Sequence, residues 1–364
     1  CAEKLIHVEK DWEKAEQDIS KVKADIHTFE EKLLVLQEDI VKKKERKAMR
    51  KNKNTINIEG KIYQFDLEQK ETGESSKHPG TPYIRGTIDV ATDDELTNIV
   101  TVNYTYVAPT YSSGKPNRTF TVLQQIIDSA KTVQADGADA ATYVRLTPSY
   151  TMNDFYNQQD ELVSTPRNEG GFANIVNDPA SLHKNGDIWR SRFENDVVIF
   201  NAEEVEVDEG DDFVRLNAIT FDFRNVAIPM TLTVRQKDAC KYFLDLGPTK
   251  KNPIYTCVWG KVLSTFVEEK RERESAFGPA EVTTVKHKTK EYLVTGANSN
   301  PYEFDDEATI TAAELNKSLQ DRETLLADIK KRNEEYKASQ ATQSAGNFPI
   351  TPVKSEVKEG GFNF

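Results

Sequence analysis

Aromatic and basic side chains alternate along several segments of this chain in a way that could grip a polyanion carrying flat rings. Tyr83 stands with Arg85, Tyr104 with Tyr106, and Tyr143 with Arg145. Trp189 stands with Arg190, Arg192 and Phe193, and Trp259 with Lys261. Single-stranded nucleic acid is held by bases stacking on aromatic faces while cations follow the backbone, and each stacked base contributes ~1–3 kcal/mol. The loop at 106–120 (YVAPTYSSGKPNRTF) adds Tyr111, Lys115 and Arg118, with Gly and Pro to shape it and no acid. The competing expectation is that these rings fill a core and the bases are ordinary surface. The sequence alone does not separate the two.

Catalytic chemistry has weaker support. The five histidines, His7, His27, His78, His183 and His287, form no ligand-spaced pair, and two fall in the first forty residues. No GxxxxGK[ST], GxGxxG or GxSxG motif occurs. Asp93-Asp94-Glu95, Asp211-Asp212 and Asp305-Asp306-Glu307 lie in turn-like or charged surroundings that favour solvation over metal binding. The expectation is a binding protein with no catalytic residues, metal or cofactor.

Composition narrows the field further. The net charge is −12, which argues against a polycationic mode of nucleic-acid binding but not against a local basic groove. Residues 203–212 hold seven acids, whereas 42–53 hold eight bases and one acid. Cys1, Cys240 and Cys257 make neither a disulfide framework nor a zinc pattern. With no visible signal peptide and no long apolar run, the expectation is a cytoplasmic protein without membrane contact. The sequons at Asn103, Asn117 and Asn316 are then chance matches.

The elements that would carry these residues fall into blocks. Leu5, Val8, Trp12, Ala15, Ile19, Val22, Ile26, Phe29, Leu33, Leu36 and Ile40 are spaced by alternating steps of 3 and 4. That 3.5-residue period predicts a coiled-coil helix about 55 Å long. In a parallel homodimer Asp18 would meet Lys23, but Asp11 would meet Glu16 and Asp25 would meet Glu30. A homo-oligomer and a different helical partner therefore both stay open. The basic end after Ile40 reads either as a solvated helix terminus or as a phosphate-contacting arm.

Strand-like alternation follows at 55–68, 81–92, 98–107, 142–146 and 196–207, with helical spacing at 118–131. Three strands, a helix and two strands is the order of an OB-fold barrel, with 148–195 as an insertion. A second round at 213–224, 226–235, 237–246, 253–267 and 281–295 is one strand short, so a single elaborate β-domain competes with a tandem pair. The overall expectation is mainly β with α appendages. Its blocks are a coiled-coil helix with a basic end (1–54), an OB-like domain (55–201) and a second β-domain (202–300). An acidic turn and helix (301–338) and a disordered tail (339–364) complete it.

Thr311-Ala-Ala-Glu314 is a capping box for the late helix, with Leu315, Leu319, Leu326 and Ile329 on one face as far as about Tyr336. The tail ends in Gly-Gly-Phe362-Asn-Phe364, an apolar tip beside a terminal carboxylate that suits docking to a partner.

Taken together, these features resemble bacterial and phage single-stranded-DNA-binding proteins of the OB-fold type. The resemblance implies single-stranded DNA as ligand, a role in replication or recombination, and recruitment of partner proteins through Phe362 and Phe364. Lys354 and Lys358 dilute the acidic tip expected of that family, and its members do not normally begin with a heptad helix. The alternative is a structural or assembly protein, of a virion for example, oligomerised by that helix.

Overall fold

The computed structural model describes residues 12, 19–23, 25–30, 32–33, 52–74, 76–178, 190–207, 211–273, 281–304 and 310–345. Side chains are described throughout these except at 265–273, 281–288 and 339–345. Most of the heptad segment, the basic run at 42–50, Trp189, Asp208 to Gly210 and the tail from 346 to 364 lie outside the described residues.

The chain divides into two units, Cys1–Arg50 and Lys51–Phe364. In the first, the described residues are helical, and the heptad positions face solvent: Trp12, Ile19, Val22, Ile26, Phe29 and Leu33 are each more than half exposed. Supercoiling around a second helix is therefore still a proposal.

The second unit is mainly β, with a few helices and one large sheet. Among the described residues its strands are β1 (Asn54–Glu71), β2 (Pro82–Ala91), β3 (Ile99–Val107), β4 (Tyr143–Tyr156), β5 (Leu162–Ile175), β6 (Ser191–Val205), β7 (Phe213–Phe221), β8 (Ala227–Val234), β9 (Ile254–Arg273) and β10 (Glu281–Ala297). The helices are α1 (Arg118–Ser129), α2 (Val133–Asp136), α3 (Lys237–Leu246) and α4 (Ala312–Ala345). Alternation explains β1: Ile56, Ile58 and Ile62 point inward while Asn57 and Lys61 point outward. A bulge after Ile62 then changes the parity.

Hydrogen-bonded neighbours trace two circuits of the same design. β1 pairs antiparallel with β2, β2 with β3, β4 with β5, and β4 with β1; β3 meets β5 in parallel at Asn103↔Glu169. Likewise β6 pairs with β7, β7 with β8, β9 with β10, and β9 with β6; β8 meets β10 in parallel at Leu293↔Thr233. Each circuit places a helix, α1 or α3, between its third and fourth strands. Antiparallel pairing of β1 with β6, from Asn54↔Asn195 to Ile58↔Ser191, joins the two.

The fifth strand of the first circuit is thus β5 rather than the run at 196–207. Residues 148–195 are not simply an insertion, because they supply the far half of β4 and all of β5. The sequence of β5, LVSTPRNEGGFANI, hides this. It contains Pro166 and two glycines at positive φ, and its inward positions include the fully buried amide Asn168. The strand at 196–207 begins earlier, at Ser191, and heads the second circuit, which therefore lacks no strand.

One core runs through both circuits, with Ile56, Ile58, Phe193, Val258 and Tyr292 in the same cluster. Asparagines cross-link it, Asn168 fully buried and Asn54 half-buried. Asn54 donates from Nδ2 to the carbonyls of Tyr150 and Phe221, and its Oδ1 accepts from the Tyr150 N–H. Asn168 donates to the Thr101 carbonyl and accepts from the Tyr292 hydroxyl. A second cluster seals the outer side of β6, β7 and β9: Val198, Ile219, Phe221 and Tyr255 pack with Tyr302, Phe304, Ile310 and Leu315.

The capping box forms, Glu314 accepting from the Thr311 N–H at 2.8 Å and Thr311 accepting from the Glu314 N–H at 3.1 Å. The helix it starts runs to Ala345, past Tyr336. α4 is fixed to the β4–β5 hairpin by Arg322, which is paired with Asp154 at 2.7 Å, and by Lys337, which is paired with Asp160 at 2.6 Å.

Candidate nucleic-acid interface

Strand pairing brings four strands side by side in the order β4, β1, β6, β9. Register then decides what their outward faces share. Tyr143 lies opposite Lys61, and Arg145 opposite Glu59. Asn57 lies opposite Arg192, and Thr55 opposite Glu194. Arg192 lies opposite Lys261, and Glu194 opposite Trp259. Alternate residues of a strand share a face, so these side chains line one outer surface. The structure therefore assembles Tyr143, Arg145, Arg192, Trp259 and Lys261 from three distant segments. Phe172, opposite Thr147 and 64% exposed, extends the surface across β5.

Cations outnumber acids here, in a chain of net charge −12. Lys53, Lys61, Arg145, Arg192 and Lys261 stand against Glu59, Glu194 and the fully buried Asp196. The Arg192 guanidinium sits 5.8 Å from the Trp259 ring and the Lys61 ammonium 5.5 Å from the Tyr143 ring. Trp259 lies against Gly296, where a Cβ would come within 2.3 Å of the indole Nε1; glycine is what lets the ring lie flat on β10.

Glu59 and Glu194 organise the cations. Glu59, 5% exposed, accepts from Arg145 Nε and from Asn57 Nδ2, both at 2.7 Å. Glu194 accepts from Lys53 at 2.6 Å and from Arg192 at 3.3 Å. The hydrogen bond from Lys53 holds the Glu194 carboxyl below its ordinary pKa, and the same bond raises that of Lys53. Beneath the surface, burial pushes the Cys257 thiol up to about 12, leaving it protonated.

Other predicted residues fall elsewhere. Tyr83 and Tyr106 meet on the outer side of β2 and β3, ring centroids 4.8 Å apart. Beside them Arg85 and Lys70 share Glu68, at 2.7 and 2.8 Å. Lys61 and Glu68 are seven residues apart on β1, roughly 20 Å along a strand. Acidic Asp66 and Asp89 lie between them, so this is a separate cluster. Tyr111, Lys115 and Arg118 are exposed in and after a loop closed by pairing of Thr110 with Pro116.

Two expectations are corrected. Tyr104 is core, 2% exposed, and its hydroxyl has no partner among the described residues. Tyr104 faces inward with Val100 and Val102 by ordinary alternation, and a bulge opposite Ile84 and Gly86 then turns Tyr106 outward. Arg190 is also buried, and it pairs with Asp94 at 2.9 Å instead of lying on the open face.

Sequence reasoning missed Lys53, Lys61, Asn57 and Phe172. It also missed Phe213, which Arg215 and Arg235 approach to 5.9 and 5.1 Å beside a cleft of about 480 Å³. The outward parity of Asn57 and Lys61 was a usable signal; the cross-strand register was not available. Among the described residues no cluster of His, Cys, Asp or Glu is placed to hold a metal, and no helix is long and apolar enough to cross a membrane.

A family model described as YorF matches residues 52–338. No curated protein matches the chain. Among solved structures, the chain is similar to a deletion mutant of the single-stranded DNA binding protein from Thermus aquaticus. The identity is 8% and the TM-score 0.41, over 71% of this chain and 98% of that one.

Proposed function

The chain belongs to the YorF family, and we propose that its β body binds single-stranded DNA along the outer face of β4, β1, β6 and β9. The observation that carries this reading is the convergence on one outer face of Trp259, Tyr143 and five cations, in a protein that is otherwise acidic. Rings seated under cations provide both halves of the grip that a single strand requires: a stacking platform and a backbone counter-charge. We read each strand circuit as an OB-like barrel. In such barrels oligonucleotides bind across strands 2 and 3 and the loops beside them; the face proposed here lies instead where the two circuits join.

On this reading the protein is a binding protein rather than an enzyme. It acts on exposed strands during replication or recombination, and the Phe362 and Phe364 tip serves partner proteins. Removing residues 360–364 then leaves oligonucleotide affinity intact and abolishes partner capture. The direct test of the face is the triple change Lys61→Gln, Arg192→Gln, Lys261→Gln. It abolishes oligonucleotide binding while the melting temperature stays within a few degrees. Undiminished binding refutes the placement of the site.

A second reading, an assembly protein oligomerised by its N-terminal helix, draws on the exposure of Ile19, Val22, Ile26, Phe29 and Leu33 along one stripe. The two readings are compatible within one chain.

A further inference from the structure

The outer side of β7 and β8 carries a groove of about 470 Å³ lined by Phe200, Pro229, Met230, Thr231 and Leu319, with Lys250 as its one ionisable residue among those described. We propose that this groove holds the chain's own tip, Phe362 and Phe364 docked in cis, and that a partner protein must take the tip from it. The proposal goes beyond strand binding and does not depend on it. It shares with the functional reading above only the tip as a docking element.

The groove is preformed and lies apart from the cationic face. Along β6, Glu194 belongs to that face, Val198 to the cluster capped by Tyr302, Phe304, Ile310 and Leu315, and Phe200 to the groove. The capped cluster therefore separates the two surfaces. Cross-strand pairing of Ile219 with Pro229 and of Asn217 with Thr231 builds the sheet side. The Pro229 carbonyl accepts from the Tyr150 hydroxyl at 2.8 Å, which ties this stretch of β8 to the core. On the helix side Leu319 packs on the capped cluster, and the neighbouring Ser318 hydroxyl donates to the Asn225 carbonyl. A fixed apolar groove open to water gains by burying an apolar side chain.

Chain length selects the occupant. α4 follows the β4–β5 hairpin, where Arg322 and Lys337 pair with Asp154 and Asp160, and it carries the chain from Leu319 to Ala345. Those 345 − 319 = 26 residues span about 39 Å at 1.5 Å each. A chain extends at most ~3.6 Å per residue. Phe348, Ile350 and Val353 follow Ala345 by 3, 5 and 8 residues, so they reach back no further than about 29 Å. Phe362 follows by 17 residues and reaches about 60 Å. The rings that return to the groove with slack are thus those of the tip. Its composition fits. Gly360 and Gly361 let the backbone lie close, two phenylalanines match the apolar lining, and Glu356 and Glu359 precede them where the groove offers Lys250 and no acid. A coil of 17 residues has an r.m.s. span of ~23 Å. Stretched to the groove, it presents the tip at an effective concentration on the order of 1 mM.

The test is methyl NMR of the full chain labelled on its three methionines, Met49, Met152 and Met230. Met230 lines the groove, so a docked ring shifts its methyl signal. The double change Phe362→Ala, Phe364→Ala moves the Met230 signal and leaves that of Met152, on β4, in place. An unmoved Met230 signal overturns the proposal. A peptide of residues 354–364, added to the chain lacking 360–364, returns Met230 to its position in the full chain with a Kd below about 1 mM, the effective concentration of the tethered tip. Binding tenfold weaker than that would leave the tethered tip mostly free and overturns it. Thr231→Trp fills the groove from an exposed strand position that accepts a large ring, and it abolishes binding of the peptide. Undiminished peptide binding to this variant places the tip elsewhere.

Two further arms separate the alternatives. Labelled chains lacking the tip, mixed with unlabelled full chains, keep the Met230 signal of an open groove; its return to the docked position assigns the tip to a neighbouring copy and overturns docking in cis. Added oligothymidylate leaves the docked signal in place, because groove and cationic face are separate. Release of the tip by the oligonucleotide would merge the two surfaces and overturn the proposal. An oligonucleotide that does not bind at all defeats the strand-binding reading, while the response of Met230 to the tip still supports docking.

Discussion

Replacing Gly296 with alanine tests the stacking platform without deleting it. The new Cβ would stand 2.3 Å from Nε1 and 2.4 Å from Cε2 of Trp259. The nearest atoms all belong to the indole, so the ring, not the backbone, must give way. Eviction removes one stacked base, a loss of ~1–3 kcal/mol. At about 1.4 kcal/mol per decade, that weakens binding roughly 5- to 150-fold. Stability changes little, because the evicted ring gives up one cation–π contact with Arg192, ~0.5–1 kcal/mol at a partly exposed site. Fluorescence anisotropy of a labelled oligonucleotide reads the affinity, and near-ultraviolet circular dichroism reports the displaced indole. Trp259→Ala matches the loss, and Trp259→Phe falls between it and wild type. If Gly296→Ala shifts the dichroism while binding stays at the wild-type level, the indole is not a platform and the reasoning fails.

Three further outcomes follow from the same geometry. Arg322→Ala leaves the Asp154 carboxylate, 2% exposed, with Ser164 at 2.6 Å but without its counter-charge. Urea denaturation reads a loss of ~3–5 kcal/mol, and a loss below about 1 kcal/mol would mean that α4 is only loosely held. The Glu194 carboxyl titrates below its ordinary value near 4.5, so the stability from its pair with Lys53 is complete above that pH and fades as pH falls through the folded pKa. The gap in urea midpoint between wild type and Lys53→Met should accordingly narrow on acidification, and a gap independent of pH contradicts the pairing. Deleting residues 1–50, the whole of the first unit, lowers the mass seen by light scattering and leaves the body folded. An unchanged mass shows that the heptad helix does not oligomerise the protein.

Much of the first circuit was legible in the sequence because its strands alternate cleanly. Expected runs at 55–68, 81–92 and 98–107 correspond to β1, β2 and β3, and Phe120, Leu123 and Ile127 marked α1. β5 was not legible, since its stability comes from neighbours rather than from its own residues. Asn168 is buried because Thr101 and Tyr292 receive it, and Gly171 leaves room where any Cβ would strike the Thr147 carbonyl at 1.8 Å. Parity failed where bulges intervened, as with Tyr106. The aromatic and basic alternation identified residues on the candidate face, but their convergence depends on β1 pairing with β6, a contact across more than 130 residues that no local pattern encodes. A separation of 96 residues likewise concealed the pairing of Arg190 with Asp94, which makes one expected surface cation a buried one.

The central claim is tested most directly by a salt titration comparing single- and double-stranded oligonucleotides of the same length and sequence. The account predicts dissociation constants of about 1 μM or tighter for the single strand at low salt. It predicts affinity falling linearly on log–log axes as counterions are released, and weaker binding to the duplex, whose bases are not free to stack on Trp259 and Tyr143. No detectable binding to the single strand at low salt, or equal binding to both forms, contradicts it.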